Sequence, residues 1–507
     1  MAYPVRSRSG FISRVTTNCE KSAEVIVVKK KNHEGLNNSK CQVKMYVPIM
    51  KSDRSEIEAY LRGNSVTYDN AVGSGEEIRQ IMSQMLEEIL SSPNIKLARD
   101  RVYQNKGASG IDGVTVQELD QYMEDNWDSI KQSIRERRYK PQPVRRVEIP
   151  KPNGGVRKLG IPTVIDRVIE QAIAQVLNPI FEPLFSEYSY GFRPNRCCEQ
   201  AIIKLLEYLN DEYTWIVDID LEKFFDNVPQ DKLMSYIGRV IHDGDVESLI
   251  RKYLKAGVMV GGHYEATEKG TPQGGNISPL LSNIMLTELD KELERRGLHF
   301  VRYADDCIIA VKSRASATRV MYTVTAWIEK KLGLKVNAAK THICRPSKLK
   351  YLGFGFCKMK TKWEAIPHKD SVLKFKRKLK ALCKRNWSVD LSYRIEKLNQ
   401  VIRGWINYFI IGRMKKNLTK IDEHLRTMIR VIIWKQWKVP SKREWGLKKL
   451  GINKDLARLT AYCGDRYQWV VTKTCVVRAI SKEKLTQKGL VSCLDYYNSR
   501  RHNLGLS

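Results

Sequence analysis

The sequence lacks the cysteine spacing that structural metal sites and disulfide frameworks use. Its eleven cysteines are scattered over 507 residues, no Cys-x-x-Cys occurs, and Cys197-Cys198 is the only close pair. Neither a zinc site nor a set of disulfides is therefore indicated. We expect reduced thiols, as in a cytoplasm.

Long apolar runs are also missing. No run approaches the roughly 20 apolar residues that a membrane-spanning helix needs. The N-terminal residues 1–8 lead into no apolar secretory core. We therefore expect no membrane partner and a cytoplasmic location.

Acidic residues are few relative to basic ones. The chain has 88 lysines and arginines against 56 acids, a net charge of +32. The segment 371–450 alone holds 22 basic and 5 acidic residues, a net of +17. A charge run is usually a solvated face, but few such faces lack compensating acids to this degree. A field of this sign favours a polyanion, with nucleic acid as the first candidate and an anionic membrane surface as the second.

Two acidic segments stand out among the residues that are present. Phe300–Val311 carries Asp305 and Asp306 between two β-prone apolar runs, which predicts strand, tight turn, strand. An isolated acidic pair is most simply a solvated turn. A second strand, Trp215–Asp226, also carries acids, however, and Mg²⁺ prefers carboxylates together with substrate phosphates. Asp220 with Asp305 would complete a two-metal site for in-line phosphoryl transfer.

Turns and loops with basic or glycine-rich character surround these strands. Val147–Pro162 predicts a β-hairpin with basic residues on both arms. Asn105–Thr115 predicts a flexible glycine-rich loop whose backbone can approach a phosphate, with a plain surface turn as the alternative. Tyr188–Arg196 interleaves aromatics with arginines, a pattern that suits stacking on bases and gripping a backbone. Periodic apolar residues predict helices over 166–181, over 280–293 and around 395–409.

These motifs, in this order, resemble the reverse transcriptase–maturases encoded by bacterial group II introns. The resemblance implies an α+β, right-hand polymerase fold. It divides the chain into fingers and palm with an antiparallel sheet (76–360), an all-α thumb called maturase domain X (361–450), and a C-terminal region with DNA binding as its candidate role (451–507). Residues 1–75 fall outside it. We expect a poorly ordered tail there, with an RNA-binding arm and upstream sequence translated in frame as the alternatives.

The resemblance also implies a metal site. The ligands that it implies, for two Mg²⁺ ions that Mn²⁺ can replace, are Asp220, the Leu221 backbone, Asp305 and Asp306. Lys340 matches the lysine that protonates the pyrophosphate leaving group. Asp218 is expected at the start of its strand, outside the metal shell.

The resemblance also implies which residues bind the substrates. The implied dNTP-binding residues are Lys151 and Arg157 at the fingertip hairpin, Phe225 beneath the sugar, and Gln273. The implied nucleic-acid-binding residues are Gly107, Gly110, Tyr190, Arg193, Arg196, Lys376, Lys380, Lys384, Arg403 and Trp405. A bulky ring at position 225 would clash with a 2′-hydroxyl and so favour deoxynucleotides.

The implied function is an RNA-directed DNA polymerase of a group II intron that also acts as a maturase, assisting splicing and mobility by target-primed reverse transcription. Its partners would be the host intron RNA, an RNA template with a DNA primer, dNTPs and target DNA. Its location would be the bacterial cytoplasm, with the intron ribonucleoprotein and nucleoid. Cys463, Cys475, Cys493 and His502 lack the spacing of an HNH endonuclease, so we expect none, as in the group IIC lineage.

Two alternative functions stay open. One is an intron-derived reverse transcriptase that now serves phage defence, a CRISPR locus or a retron. The complete thumb motif around Trp405 disfavours it, although exaptation would leave that motif in place. The other is an RNA-binding maturase without polymerase activity, which the intact Asp220, Asp305 and Asp306 argue against.

Overall fold

A computed structural model describes residues 84–150, 154–464 and 466–506. The predicted N-terminal tail and Lys151 lie outside the described residues. Strands occur between residues 144 and 367, whereas the described chain from residue 369 onward contains helices only. This segregation confirms the predicted α+β class.

Two compact units make up the described chain. The described residues of the first unit lie within 84–201 and 217–343, and those of the second lie within 202–216 and 344–506. These units are compact bodies rather than functional domains. The family domains predicted above therefore stay predictions.

The elements up to residue 344 alternate between helices and short strands, after a helical segment over 84–90. The helices are α1 (Ser92–Asn105), α2 (Leu119–Arg135), α3 (Val164–Phe181), α4 (Cys198–Asn210), α5 (Phe224–Asn227), α6 (Gln230–Gly238), α7 (Gly244–Leu254), α8 (Ser278–Arg295) and α9 (Arg314–Trp327). The strands are β1 (Val144–Pro150), β2 (Val156–Ile161), β3 (Trp215–Ile219), β4 (Val258–Val260), β5 (His263–Glu265), β6 (His299–Tyr303), β7 (Asp306–Val311) and β8 (His342–Cys344). The helices predicted over 166–181 and 280–293 correspond to α3 and α8.

One sheet carries the predicted basic hairpin. Its strand order is β2-β1-β4-β5, and β1 pairs antiparallel with β2 from Arg145↔Ile161 to Pro150↔Val156. Gly154 and Gly155 have φ angles of +83° and +76°, which only glycine adopts readily, so they allow the chain to reverse. The hairpin prediction is confirmed.

A second sheet holds both acidic segments. Its order is β6-β7-β3-β8, and β6 pairs antiparallel with β7 as far as Tyr303↔Asp306. Val217, Phe300 and Ile309 are fully buried, which fixes these strands in the core. The strand–turn–strand prediction is confirmed, and the sheet brings the acids to the ends of neighbouring strands.

From residue 344 onward, the second unit contains a hairpin followed by helices. The strands β9 (Phe354–Met359) and β10 (Lys362–Pro367) pair antiparallel. The helices are α10 (Lys369–Leu382), α11 (Leu391–Tyr408), α12 (Lys415–Gln436), α13 (Pro440–Lys449), α14 (Lys454–Ala461), α15 (Tyr467–Val470), α16 (Thr474–Ala479), α17 (Lys482–Gln487) and α18 (Cys493–Asn503). Ile395, Leu398 and Ile402 are buried on α11, as its apolar periodicity predicts. Among the described helices of both units, none has the length and apolarity to span a bilayer.

Candidate active site

Three carboxylates lie at the ends of β3, β6 and β7, within electrostatic range of one another. Asp220 directly follows β3, and Asp305 and Asp306 lie at the β6–β7 turn. Although Asp306 keeps contact with solvent, the surrounding protein limits its hydration, and nearby Asp305, Asp218 and Asp220 add repulsion. Together these effects raise its pKa to about 6. Burial likewise raises the pKa of Asp305, and Asp220 adds to that rise. The acids are therefore close enough to influence one another's ionisation.

A segment before β8 brings Lys340 to this site. The Asn337 N–H donates to the Asp220 carbonyl at 2.8 Å, and the Asp220 N–H donates to Thr341 Oγ1 at 3.2 Å. These bonds hold Lys340 Nζ at 3.2 and 3.1 Å from the two carboxylate oxygens of Asp220. The structure thus joins two of the predicted site residues that lie 120 positions apart.

The carboxylate groups of this site are chemically suited to bind a divalent cation. Carboxylate oxygens are the donors that hard cations prefer, and the Lys340 ammonium already stands as a positive charge against Asp220. Within the described part of the chain, however, no three Asp, Glu, His or Cys side chains gather closely enough to hold one ion. Binding an ion through Asp220, Asp305 and Asp306 therefore requires their side chains to converge.

Asp218 and Leu221 flank the end of β3. Asp218 is the fourth of the five residues of β3, so its predicted location at the strand start is wrong. The side-chain period of two keeps it on the face of Asp220, and its pKa is raised to about 6 by burial, with Asp220 adding to the rise and His342 opposing it. Leu221 is buried and forms an antiparallel bridge with Val336. Metal binding by its backbone stays a prediction.

Arg157 is the described fingertip residue of the predicted dNTP site. Its side chain is exposed on β2, and its positive charge opposes the rise in the pKa of Asp305. An exposed cation within electrostatic range of the acids has the location that a triphosphate partner needs. Lys151, the other predicted phosphate partner, lies outside the described residues.

Phe225 and Gln273 lie on adjoining backbone. The Phe225 ring is half-buried and packs edge-to-face on Phe224, with centroids 5.2 Å apart. Its carbonyl accepts a hydrogen bond from Thr271 N–H at 2.7 Å, which joins it to the loop that carries Gln273. The Gln273 carbonyl in turn accepts from Gly160 N–H on β2 at 2.8 Å. The structure thus joins the predicted sugar gate, on α5, to the loop that carries the predicted polar residue.

The glycine-rich loop before α2 is fastened to the protein rather than free along its length. Arg167 donates to the Ala108 carbonyl at 2.6 Å, and Arg145 donates to the Ser109 carbonyl at 2.7 and 3.1 Å. Gly110 lies against the Thr163 backbone and has no room for a side chain, whereas a side chain at Gly107 would require the Arg167 guanidinium to shift. The contacts of Gly107 and Gly110 with nucleic acid stay predictions.

The aromatic and arginine string over 188–196 is largely internal. Tyr190 is buried, with the Arg196 guanidinium 5.4 Å from its ring centroid, and buried Arg193 pairs with Glu182 at 2.9 Å. The predicted nucleic-acid contacts of these three residues remain untested. Phe192, by contrast, is 48% exposed, and sequence reasoning missed it. The alternation of aromatic and basic residues gives no signal for which ring faces outward.

Cations line the helices of the second unit. Lys376, Lys380 and Lys384 are exposed on and just after α10, and Arg403 is exposed on α11. Trp405 is half-buried and stacks on Phe375 at 4.4 Å between ring centroids, so that face of its ring is already covered. A groove of about 640 Å³ beside this stack is lined by residues that include Lys374, Lys378 and Gln400. Binding of nucleic acid by these residues stays a prediction.

Comparison with known proteins identifies the family to which the chain is related. A profile described as "Reverse transcriptase (RNA-dependent DNA polymerase)" matches residues 149–356, and one described as "Group II intron, maturase-specific domain" matches residues 372–451. The chain is 35% identical over 236 residues to the group II intron-encoded protein LtrA of Lactococcus lactis subsp. cremoris, a match that covers 46% of this chain and 39% of LtrA.

Two other relatives extend the match. The protein YkfC of Escherichia coli K12 is 33% identical over 301 residues, covering 51% of this chain and 79% of YkfC. The putative COX1/OXI3 intron 2 protein of Saccharomyces cerevisiae is 26% identical over 442 residues, covering 75% of this chain and 50% of that protein. The chain thus spans about two fifths of LtrA and most of YkfC. Its fold is the right-hand polymerase fold of reverse transcriptases, and the chain belongs to the group II intron reverse transcriptase–maturase family.

Proposed function

We propose that this chain is an RNA-directed DNA polymerase that also acts as a maturase for its intron RNA. The proposed polymerase activity is supported by the grouping of Asp220, Asp305 and Asp306 at neighbouring strand ends. These carboxylates influence one another's pKa, Lys340 pairs with Asp220, and the charge of Arg157 reaches Asp305. Such an arrangement of acids and cations suits transfer of a nucleotidyl group from a triphosphate.

Polymerases of this family generally use a divalent metal ion. We assign Mg²⁺, two ions per site, to the carboxylates of Asp220, Asp305 and Asp306 and to the Leu221 backbone. When bound, Mg²⁺ supplies charge neutralisation at the primer 3′-oxygen and at the departing pyrophosphate.

The remaining chemistry belongs to the protein's own side chains. Arg157 neutralises the triphosphate, and Phe225 excludes a 2′-hydroxyl from beneath the sugar. Lys340 Nζ donates a proton to the pyrophosphate oxygen, for which it leaves the carboxylate of Asp220. Gln273 orients the nucleotide opposite the template.

The maturase activity requires a surface for a folded RNA. The net charge of +17 over 371–450 supports that role, because many phosphates must be neutralised together. We propose the host intron RNA, a primed RNA template, dNTPs and target DNA as partners. The proposed setting is the bacterial cytoplasm, in the intron ribonucleoprotein and at the nucleoid.

Carboxylate-to-amide substitutions test the polymerase assignment. Asp220→Asn and Asp305→Asn keep the side-chain shape but remove the charge that holds the metal ion. We expect each to abolish Mg²⁺-dependent extension of a primer on an RNA template. RNA binding, measured by filter retention, should stay near the wild-type level because the basic surface is unchanged.

Asp226→Asn provides the matched control. Asp226 belongs to the same acidic segment and is exposed on α5, and no role in the site is assigned to it. It should extend primers at the wild-type rate. Extension that survives at both Asp220 and Asp305 contradicts the polymerase assignment. Intron binding by a wild-type protein that cannot extend primers indicates the alternative of an RNA-binding maturase.

A further inference from the structure

A fully buried arginine lies directly behind the acidic turn. Arg302 and Asp290 both have 0% side-chain exposure, and Arg302 Nε donates to Asp290 Oδ1 at 2.7 Å while Nη2 donates to the other carboxylate oxygen. Arg302 Nη1 donates to Asn283 Oδ1 at 3.1 Å and to the Ala304 carbonyl at 2.9 Å. One guanidinium thus links helix α8 to the residue that precedes Asp305.

The Ala304 backbone needs such support. Its φ is +57°, a left-handed conformation that an L-residue adopts at a cost. Gly191 crosses so close that a Cβ on it would lie 2.2 Å from Ala304 N. The Asn283 amide donates to the Gly191 carbonyl at 2.9 Å, so the turn segment that crosses Ala304 is fixed from the same helix.

We propose that Arg302 is a positioning residue for Asp305 and Asp306, oriented by Asp290 and Asn283. By holding the Ala304 carbonyl, it fixes the turn in the left-handed conformation that presents both acids at the strand ends. Loss of this hold lets the turn relax, and the carboxylates then spend less time where they can converge on a cation. The inference rests on the proposed metal-binding function of these acids.

The geometry requires arginine rather than a generic cation. The planar fork of Arg302 reaches a carboxylate, an amide oxygen and a main-chain carbonyl at once. A lysine ammonium can stay paired with Asp290 but cannot span the other two acceptors simultaneously. Arg302→Lys therefore keeps the buried charge pair and removes the hold on Ala304.

The test is made on the full chain with Mn²⁺ as the probe. Titration calorimetry of the protein alone should show Mn²⁺ binding about 10- to 100-fold weaker for Arg302→Lys than for the wild type. The kcat of primer extension should fall in parallel, with a smaller change in the KM for dNTP. Hydrogen exchange read by mass spectrometry should accelerate over residues 303–307 and stay unchanged in the second unit.

Ser189→Ala is the matched control. Ser189 bridges the main chain of Arg302, and its buried hydroxyl has no hydrogen-bond partner in the described structure. The substitution disturbs the same neighbourhood without touching the fork. It should leave Mn²⁺ binding, kcat and turn exchange at wild-type values.

Each remaining outcome decides the inference. If circular dichroism shows that Arg302→Lys does not fold, Asn283→Ala is measured instead, because it keeps the Asp290 pair and removes the amide oxygen that helps to orient Nη1 toward the Ala304 carbonyl. A smaller but measurable loss of Mn²⁺ affinity supports the inference. A folded variant that binds Mn²⁺ as tightly as the wild type overturns the role of Arg302 and leaves the proposed function intact. If the wild-type protein itself neither binds Mn²⁺ nor extends primers, the proposed function is overturned as well.

Discussion

The chemistry of the candidate site depends on a few side chains whose types restrict what they can do. Asp305 and Asp306 are adjacent in sequence, so their mutual repulsion follows from sequence alone. The pairing of Lys340 with Asp220 is different. It arises because the segment before β8 runs beside the end of β3, a contact that sequence spacing does not reveal.

Phe225→Ala tests sugar selection. Removing the half-buried ring opens space beneath the sugar, so a 2′-hydroxyl no longer clashes. We expect ribonucleotide kcat/KM to rise by a larger factor than any change in deoxynucleotide kcat/KM. Single-nucleotide extension with each sugar measures both. Tyr322→Ala removes an exposed aromatic of α9 to which no role in the site is assigned, and it should leave the ratio unaltered. Equal effects of Phe225→Ala on both sugars would mean that the ring only packs against Phe224.

The sequence indicated the acidic residues and the proposed sugar gate, but it did not show which buried residues support them. Arg302 and Asp290 are twelve residues apart and look like ordinary strand and helix charges, yet both are fully buried and paired. Tyr190 and Arg193 show the converse. Their types suit nucleic-acid contact, but the burial of Tyr190 and the pairing of buried Arg193 with Glu182 depend on tertiary packing, which a local pattern does not encode.

At the scale of elements, the loop between β5 and α8 is anchored by a buried acid. Glu170 on α3 is almost wholly buried, and its carboxylate accepts a hydrogen bond from the Asn276 N–H. Gln273, on the same loop, bonds to β2 through Gly160. The fingertip hairpin, the loop and α3 are therefore fastened together around one carboxyl group. Its pKa is raised to about 8, chiefly by burial, with neighbouring Asp166 adding to the rise and Arg167 opposing it.

Glu170→Gln tests this anchor through pH. Between the ordinary pKa of 4.5 and the folded-state pKa of about 8, the folded protein keeps a proton that the unfolded chain releases. Wild-type stability should therefore fall as pH rises through this window, by up to about 1.4 kcal/mol per pH unit from this group. Glutamine mimics the protonated acid and removes that loss. Urea unfolding at pH 5, 6.5 and 8 should show the variant gaining stability over the wild type as pH rises.

Glu292→Gln is the control for that experiment. Glu292 lies on α8, and its pKa is lowered to about 2, chiefly by a hydrogen bond from Arg295. It stays ionised in both states across the window, so the difference from wild type should not change with pH. A constant offset for Glu170→Gln as well would show that the buried acid is ionised in the folded protein.

Element types were predictable where one physical signal dominated. The glycines after β1 and the apolar periodicity of α3, α8 and α11 each indicated the observed structure. Asp218 shows where this fails, because strand length is set by pairing with β7 and β8 rather than by the local sequence. The hydrogen bonds that fasten the loop at Ala108 and Ser109 likewise come from Arg167 and Arg145, which lie far along the chain.

At the scale of the whole molecule, charge separates two tasks. Nucleotidyl transfer requires a few acids at fixed positions, whereas binding of a folded RNA requires many cations over a broad surface. More than half of the net charge of +32 falls within residues 371–450. Polymerisation and RNA recognition should therefore respond differently to the removal of surface charge.

Neutralising Lys376, Lys380 and Lys384 together to glutamine tests this separation. All three are exposed, and the first two lie one helical turn apart on α10. Intron RNA binding should weaken, and the slope of log K against log salt should become shallower by roughly 0.7 to 0.9 for each phosphate that the protein no longer neutralises. Splicing should fail at low Mg²⁺, where the RNA cannot fold unaided. Extension at saturating primer–template should fall less, because the acids are untouched.

A charge-matched variant decides whether position or total charge matters. Replacing exposed Lys255, Lys330 and Lys331 of the first unit by glutamine removes the same three charges. If the helical surface of the second unit carries recognition, this variant should keep nearly the full salt slope and splice normally. Equal losses in both variants would show that the overall field attracts the RNA without a defined surface. An unchanged slope in the α10 variant would make that lysine run a solvated face, and the RNA surface would then have to lie elsewhere on the chain.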